Sequence, residues 1–176
     1  MYGCGPVGST FIKFMKLYGV EEITAIDIVD EKLESALAYG AKYAVNSQTT
    51  DVEKEIRTRY PEGVDYVLDA IGAPFVLNAA MPLIRDRGSV LCYGVPPVEQ
   101  VTIDFSRADY NWSVIYQQMP RKAEEGLAHE QVMEWITSGK LVLKDFISDY
   151  FRFEDSVHAF ELLLERKIQK KGIIVF

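Results

Sequence analysis

Apolar residues in the first two-thirds of the chain follow two rhythms that take turns. Val7, Phe11, Phe14, Met15 and Tyr18 recur at three- and four-residue steps, with Lys13 and Lys16 off that face. This spacing predicts an amphipathic helix closed at Gly19. The short run Ile23 to Asp27 then reads as a buried strand. The alternation repeats with a helix over 30–39, Asp30 as its N-cap and Gly40 as its terminator, and a strand at Tyr43 to Val45. A Thr50/Glu53 capping box predicts a charged helix to about Tyr60, and Val64 to Ile71 reads as a strand ending at Gly72. Ala73 to Arg85 predicts a helix kinked or ended by Pro82. Gly88 to Gly94, Val101 to Phe105 (with one polar face) and Trp112 to Tyr116 complete the strands of this region. Strands alternating with helices imply an α/β fold around a parallel, doubly wound sheet. After a polar stretch over 117–126 the expected elements are a helix at Glu130 to Thr137, a strand within Lys144 to Phe151, a helix at Glu154 to Glu165 and a strand at Gly172 to Phe176. The expected division is a domain over 1–116 and a C-terminal αβ extension over 117–176.

The first helix begins inside a glycine motif. Gly3-Cys4-Gly5-Pro6-Val7-Gly8 reads G-x-G-x-x-G. Gly3 permits a tight turn, Gly5 lets a pyrophosphate approach the backbone, and Gly8 lets the helix pack closely on a sheet. The phosphates would meet free N–H groups at the positive end of the helix. Glycines alone also serve turn geometry, and an acid alone at a strand end also serves as an N-cap or a solvated charge. Asp27, however, falls 19 residues beyond Gly8, where the acid that binds the adenosine ribose hydroxyls is expected. Together the two features predict a dinucleotide site that takes NAD, because a 2′-phosphate would face a carboxylate. The motif lacks its preceding strand, since only Met1 and Tyr2 stand before Gly3. In a Rossmann-type sheet that strand is central. A sheet with its first strand largely missing is therefore expected to have a gap in its middle. Either the chain is a fragment, or another segment or subunit fills the slot.

Composition narrows the partners. The chain has 176 residues, 48% of them hydrophobic, which is enough for a core. With 19 Lys and Arg against 26 Asp and Glu, the net charge of −7 argues against nucleic acid and anionic membranes. No apolar run approaches the ~18 residues of a membrane span. The two cysteines, Cys4 and Cys92, read as reduced thiols of a cytoplasmic protein. His129 and His158 have no Cys or His at ligand spacing, so no metal site and no catalytic residue is assigned.

The combination resembles the medium-chain dehydrogenase/reductase family, in particular its zinc-type alcohol and polyol (sorbitol-like) dehydrogenases. The resemblance rests on Gly3 to Gly8, Ala25-Ile26-Asp27 with Lys32, Tyr39-Gly40-Ala41 leading to Asn46, Asp65 to Gly72, Gly88 to Pro97, and Phe153 to Phe176. It implies a pyrophosphate site at Gly3, Gly5, Pro6, Val7 and Gly8, and ribose contacts from Asp27 and Lys32. It also implies that Ala70, Ile71 and Gly72 lie under the adenine-side ribose and the nicotinamide, and that Tyr93, Gly94 and Val95 hold the carboxamide. Tyr116 would be a further nicotinamide contact and Lys171 a basic residue near the pyrophosphate. Read without the resemblance, Lys32 is a solvated helix charge, and Tyr93 and Tyr116 are packing aromatics.

In that family a GroES-like domain precedes this region and carries the catalytic zinc ligands and the proton relay, so zinc is expected only there. The expected function is the NAD(H)-binding portion of an alcohol or polyol dehydrogenase, not competent alone, with the alcohol bound only when the catalytic domain is present. The alternatives are a non-catalytic dinucleotide-binding or oligomerising module and a zinc-independent reductase of the same superfamily. Homo-oligomerisation is expected as well, because Gly88 to Gly94 and Val101 to Phe105 lie where family members extend their sheets across a two-fold axis. An uncovered tail surface and the gap at the first strand point the same way.

Overall fold

The computed structural model describes residues 1–165 and 167–176; Arg166, within the closing segment that carries part of the resemblance, lies outside them. The chain forms two compact units, Met1–Met119 and Pro120–Phe176. In the first unit the elements are α1 (Pro6–Leu17), β1 (Thr24–Asp27), α2 (Asp30–Ala38), β2 (Tyr43–Asn46), α3 (Val52–Arg59), β3 (Val64–Asp69), α4 (Pro74–Ala80), β4 (Ile84–Cys92) and β5 (Ser113–Tyr116). All pairings are parallel: β1 with β2, β3 with β4, and β4 with β5.

The two ladders meet through Tyr2, which bridges in parallel to Ile26 on one side and Asp69 on the other. Met1 to Gly3 thus occupy the central strand position of the sheet. The Tyr2 N–H donates to Leu68 O (2.8 Å), Gly3 N–H to Ile26 O (2.9 Å), Ile26 N–H to Met1 O (2.8 Å) and Ala70 N–H to Tyr2 O (3.0 Å). The resulting order is β2, β1, Tyr2, β3, β4, β5. Right-handed crossovers then set α1 and α2 on one face, and α3 and α4 on the other, because the chain reverses its direction across the sheet after β2. Tyr2, Ile26, Val45, Val67, Leu83 and Val90 are buried in the core beneath these layers.

The doubly wound parallel α/β architecture matches the expectation, and several local readings need correction. Asp30 does not cap α2; Val29 occupies the cap position, and the Asp30 carboxylate instead accepts from Asn46 Nδ2 (2.7 Å). For α3 the cap is Asp51, one residue past Thr50, and its carboxylate accepts from Lys54 N–H (3.1 Å). The helix before Pro82 ends at Ala80, and a 3₁₀ turn over Met81–Leu83 leads directly into β4. Residues 101–105 form no strand. Their alternation reflects an extended loop clasped by one side chain, since Asn78 donates to Thr102 O (2.7 Å) and accepts from Asp104 N–H (2.9 Å). β4 is interior, flanked by β3 and β5. The open edge on that side is therefore β5, all four residues of which are exposed.

The second unit consists of α5 (Lys122–Thr137), β6 (Ile147–Arg152), α6 (Ser156–Leu164) and β7 (Lys171–Val175), with β6 and β7 parallel. Trp135, Leu141, Phe146 and Ala159 are its buried apolar residues. α5 begins two turns before the expected Glu130, opened by Glu124, whose carboxylate accepts from Arg121 N–H (2.7 Å). Polar residues and Gly126 hid those turns from the periodicity. No helix among the described residues is long and apolar enough to cross a membrane.

The cap assignment on α3 is directly testable. Asp51→Ala should lower stability by about 1 kcal/mol, and Thr50→Ala should change it by less than about 0.5 kcal/mol, in urea denaturation followed by circular dichroism.

Candidate functional site

The carboxyl ends of the parallel strands gather the predicted residues at the point where strand order reverses, beside Tyr2. In open α/β sheets this crevice is where ligands bind. The turn from Gly3 to Gly8 is built by contact. A Cβ on Gly8 would lie 1.9 Å from Gly3 O, so only glycine lets α1 start this close to the strand. Over Gly5 the situation is the opposite, since a Cβ there would meet nothing within 4 Å. Gly5 caps α1 with no side-chain bond, Pro6 occupies the first turn, and no acidic residue stands in that turn. The helix therefore offers an uncompensated positive end beneath open space, which suits a phosphate group.

Asp27 ends β1 and is 8% exposed. One carboxylate oxygen accepts from Cys4 N–H (2.7 Å), and the other from Ile28 N–H (2.8 Å) and Val29 N–H (3.1 Å). These three bonds lock the group against the glycine turn and leave about one of its four acceptor positions for a further hydroxyl donor. Lys32, on the first turn of α2, is half-buried, and its charge acts on the nearby Cys4 thiol.

Asp69, which sequence reasoning passed over, is the counterpart of Asp27 at the end of β3. It is 4% exposed, and its carboxylate accepts from Ile71 N–H (2.8 Å) and Gly72 N–H (2.9 Å). Its backbone oxygen accepts from Tyr93 N–H and Gly94 N–H (both 3.0 Å). A single residue thus holds both Ala70–Gly72 and Tyr93–Val95. The available signal was an acid closing a buried strand, as at Asp27.

The two loops touch backbone to backbone. Gly72 has φ +77°, and a Cβ on Gly94 would sit 2.0 Å from Gly72 N. Ile71, Tyr93 and Val95 stay exposed along this rim, and the Tyr93 ring packs edge-on against Phe11 of α1 at 4.9 Å. Tyr116, at the end of β5, is exposed, and its hydroxyl accepts from Gln118 Nε2 (3.0 Å). Lys171 is an exposed residue at the start of β7, in the second unit. The first unit thus brings together Gly3, Gly5, Pro6, Val7, Gly8, Asp27, Lys32, Ala70, Ile71, Gly72, Tyr93, Gly94, Val95 and Tyr116 at one end of its sheet.

The residues fit a dinucleotide: open space above Gly5, a bare helix terminus, and a buried acid with acceptor capacity to spare. They do not fit a metal ion. Among the described residues no group of three or more His, Cys, Asp or Glu side chains is placed to hold one.

A family profile described as zinc-binding dehydrogenase matches residues 6–119. Sorbitol dehydrogenase of Bacillus subtilis is 26% identical over 175 residues, covering 99% of this chain and 48% of that protein. D-xylulose reductase of Saccharomyces cerevisiae is 26% identical over 181 residues, covering 92% of this chain and 46% of that protein. Among solved structures, the alcohol dehydrogenase TADH from Thermus sp. ATN1 superimposes with a TM-score of 0.87 at 25% identity, covering 99% of this chain and 50% of that one. The chain spans about half the length of the relatives it matches.

Burial, reinforced by the Asp27 charge, pushes the Cys4 thiol up to about 12. Burial and Asp69 also raise Cys92. A raised thiol favours the neutral form in the folded state. Its contribution to stability is full below the ordinary thiol value and is lost as pH climbs through the folded one. At pH 8 both cysteines should resist a thiol-alkylating reagent in the native protein and react fully in denaturant, as read by peptide mass mapping.

Proposed function

This chain belongs to the zinc-binding dehydrogenase family, and we propose that it is the NAD(H)-binding part of an alcohol or polyol dehydrogenase. The observation that carries the reading is the buried Asp27 carboxylate, fixed by the Cys4, Ile28 and Val29 amides beside a helix terminus without acids. The alcohol or polyol class follows the names of the sorbitol dehydrogenase and D-xylulose reductase relatives.

In this reading Gly3, Gly5, Pro6, Val7 and Gly8 hold the pyrophosphate at the start of α1, where backbone N–H groups and the helix dipole neutralise it. The remaining acceptor position of Asp27 takes a ribose hydroxyl, with Lys32 alongside. Ala70, Ile71 and Gly72 lie under the adenine-side ribose and the nicotinamide, and the backbone of Tyr93, Gly94 and Val95 orients the carboxamide. Tyr116 adds a further contact there. Bound NAD supplies the hydride acceptor. The residues of this chain bind and orient it, and none of them moves a proton at the alcohol. Zinc and the proton relay belong to the portion of the relatives that this chain does not span. Residues 1–116 form the coenzyme domain and residues 117–176 an extension packing toward that portion. Self-association uses the open edge of β5, and the reducing cytoplasm keeps Cys4 and Cys92 as free thiols.

Fluorescence titration should detect NADH binding to the chain, while NAD with a range of alcohols gives no turnover. Asp27→Asn, checked for an unchanged melting profile, should weaken NADH by about tenfold or more, because a hydrogen bond to a charged acceptor contributes roughly 1.5–3 kcal/mol. NADPH should lose little or gain. Tighter binding of NADPH than NADH by the unaltered protein would overturn the role given to Asp27.

A further inference from the structure

Acids close the strands on either side of Tyr2, and one of them has an oxygen to spare. Asp69 ends β3, the neighbour of Tyr2 on the side where the strand order reverses. Open α/β sheets bind ligands at that crevice. The Ile71 and Gly72 amides both donate to the same carboxylate oxygen of Asp69, Oδ1. Among the described residues no donor and no cation reaches the other oxygen, Oδ2, yet that atom is not sealed inside the core. An ionised carboxylate has about four acceptor positions, and a buried one is costly to leave half used. The residue as a whole is buried, so a donor for Oδ2 has to come from the crevice.

The surroundings restrict what that donor is. The loop after β3 lies against the glycine turn, since a Cβ on Gly3 would stand 2.7 Å from Ile71 Cγ1 and 3.4 Å from the Ala70 carbonyl carbon. A group bound at Asp69 is therefore the immediate neighbour of whatever the turn holds. In a dinucleotide the groups that flank the pyrophosphate are the two riboses. The bases, with their amino donors, lie one ring further out. Asp27 approaches the turn from the β1 side, through its bond to Cys4 N–H. A ligand with one ribose at Asp27 and its pyrophosphate over Gly5 places the other ribose on the β3 side.

We propose that Asp69 is a second ribose-binding acid, whose Oδ2 accepts a hydroxyl of the nicotinamide-side ribose while Oδ1 holds the loop Ala70–Gly72. The assignment rests on the dinucleotide reading above and adds a charged contact to a half of the site otherwise made of backbone. One carboxylate thus has two separable duties. Asn in its place keeps the first, because a single carbonyl oxygen can still accept from both the Ile71 and Gly72 amides. It loses the second, because an NH2 group then stands where Oδ2 was.

The test uses probes that differ by the ribose in question. ADP carries the adenosine ribose and the pyrophosphate, and ADP-ribose adds the second ribose. In calorimetric titrations of the full chain, Asp69→Asn should weaken ADP-ribose and NADH by about tenfold or more and leave ADP unchanged. Hydrogen exchange at the Ile71, Gly72, Tyr93 and Gly94 amides should be the same with and without the substitution, which a purely structural role does not predict. A second arm needs no variant. NADH lacking both hydroxyls of its nicotinamide-side ribose should bind the unaltered chain about tenfold more weakly than NADH. Undiminished ADP-ribose binding by Asp69→Asn, an equal loss for ADP, or a loss accompanied by faster exchange at those amides overturns the assignment alone. Equal binding of NADH and its dideoxy form does the same. If the unaltered chain binds none of ADP, ADP-ribose and NADH, the dinucleotide reading falls and the assignment with it.

Discussion

Three residues hold the first unit together. The backbone of Met1, Tyr2 and Gly3 bonds to Ile26 on one side and to Leu68 and Ala70 on the other, and through them β2–β1 and β3–β4–β5 become one sheet. Each bond is individually modest. Their position makes them decisive, because the same residues close the sheet and begin the glycine turn. Gly3 leaves the sheet through a left-handed backbone (φ +88°), and five residues later Gly8 returns within contact distance of its carbonyl. The same short stretch of backbone therefore serves both the sheet centre and the glycine turn.

The site is made largely from backbone, and two acids organise it. Asp27 and Asp69 close strands on opposite sides of Tyr2, and each directs its carboxylate to amides of the loop that follows. Asp27 also reaches across to Cys4, tying the end of β1 to the glycine turn. Carboxylates accepting several backbone N–H groups are well compensated for burial. Burial first, and then the same two charges, push the neighbouring thiols of Cys4 and Cys92 up. The exposed side chains Ile71, Tyr93 and Val95 are then free to serve as ligand-facing surface.

The parallel α/β order, the helix on the glycine turn and the buried acid at Asp27 were legible in the sequence, since each depends on local spacing. Boundaries shifted where a side chain competed for the role that periodicity assigned. Asp51 outcompeted Thr50 as a cap, and Asn78 clasped residues 101–105 into a loop that alternates like a strand. Asp69 was hidden for a different reason. Its partners Tyr93 and Gly94 lie more than twenty residues away, and nothing in the local pattern connects them. Likewise, that Met1 to Gly3 join two ladders is a fact of three-dimensional pairing, invisible in the local pattern before the glycine turn.

The contact between Gly72 and Gly94 sets which positions of the rim can vary. A side chain on Gly94 would overlap the Gly72 backbone, and one on Gly72 would overlap Gly94 and Val95. The two loops are thus indexed to each other at a single point, as two pages are by a staple. Ile71 and Val95, immediately beside that point, project outward and are unconstrained by it. Substitutions there can reshape the surface presented to a ligand while the loop positions stay fixed, which separates the tuning of selectivity from the integrity of the scaffold.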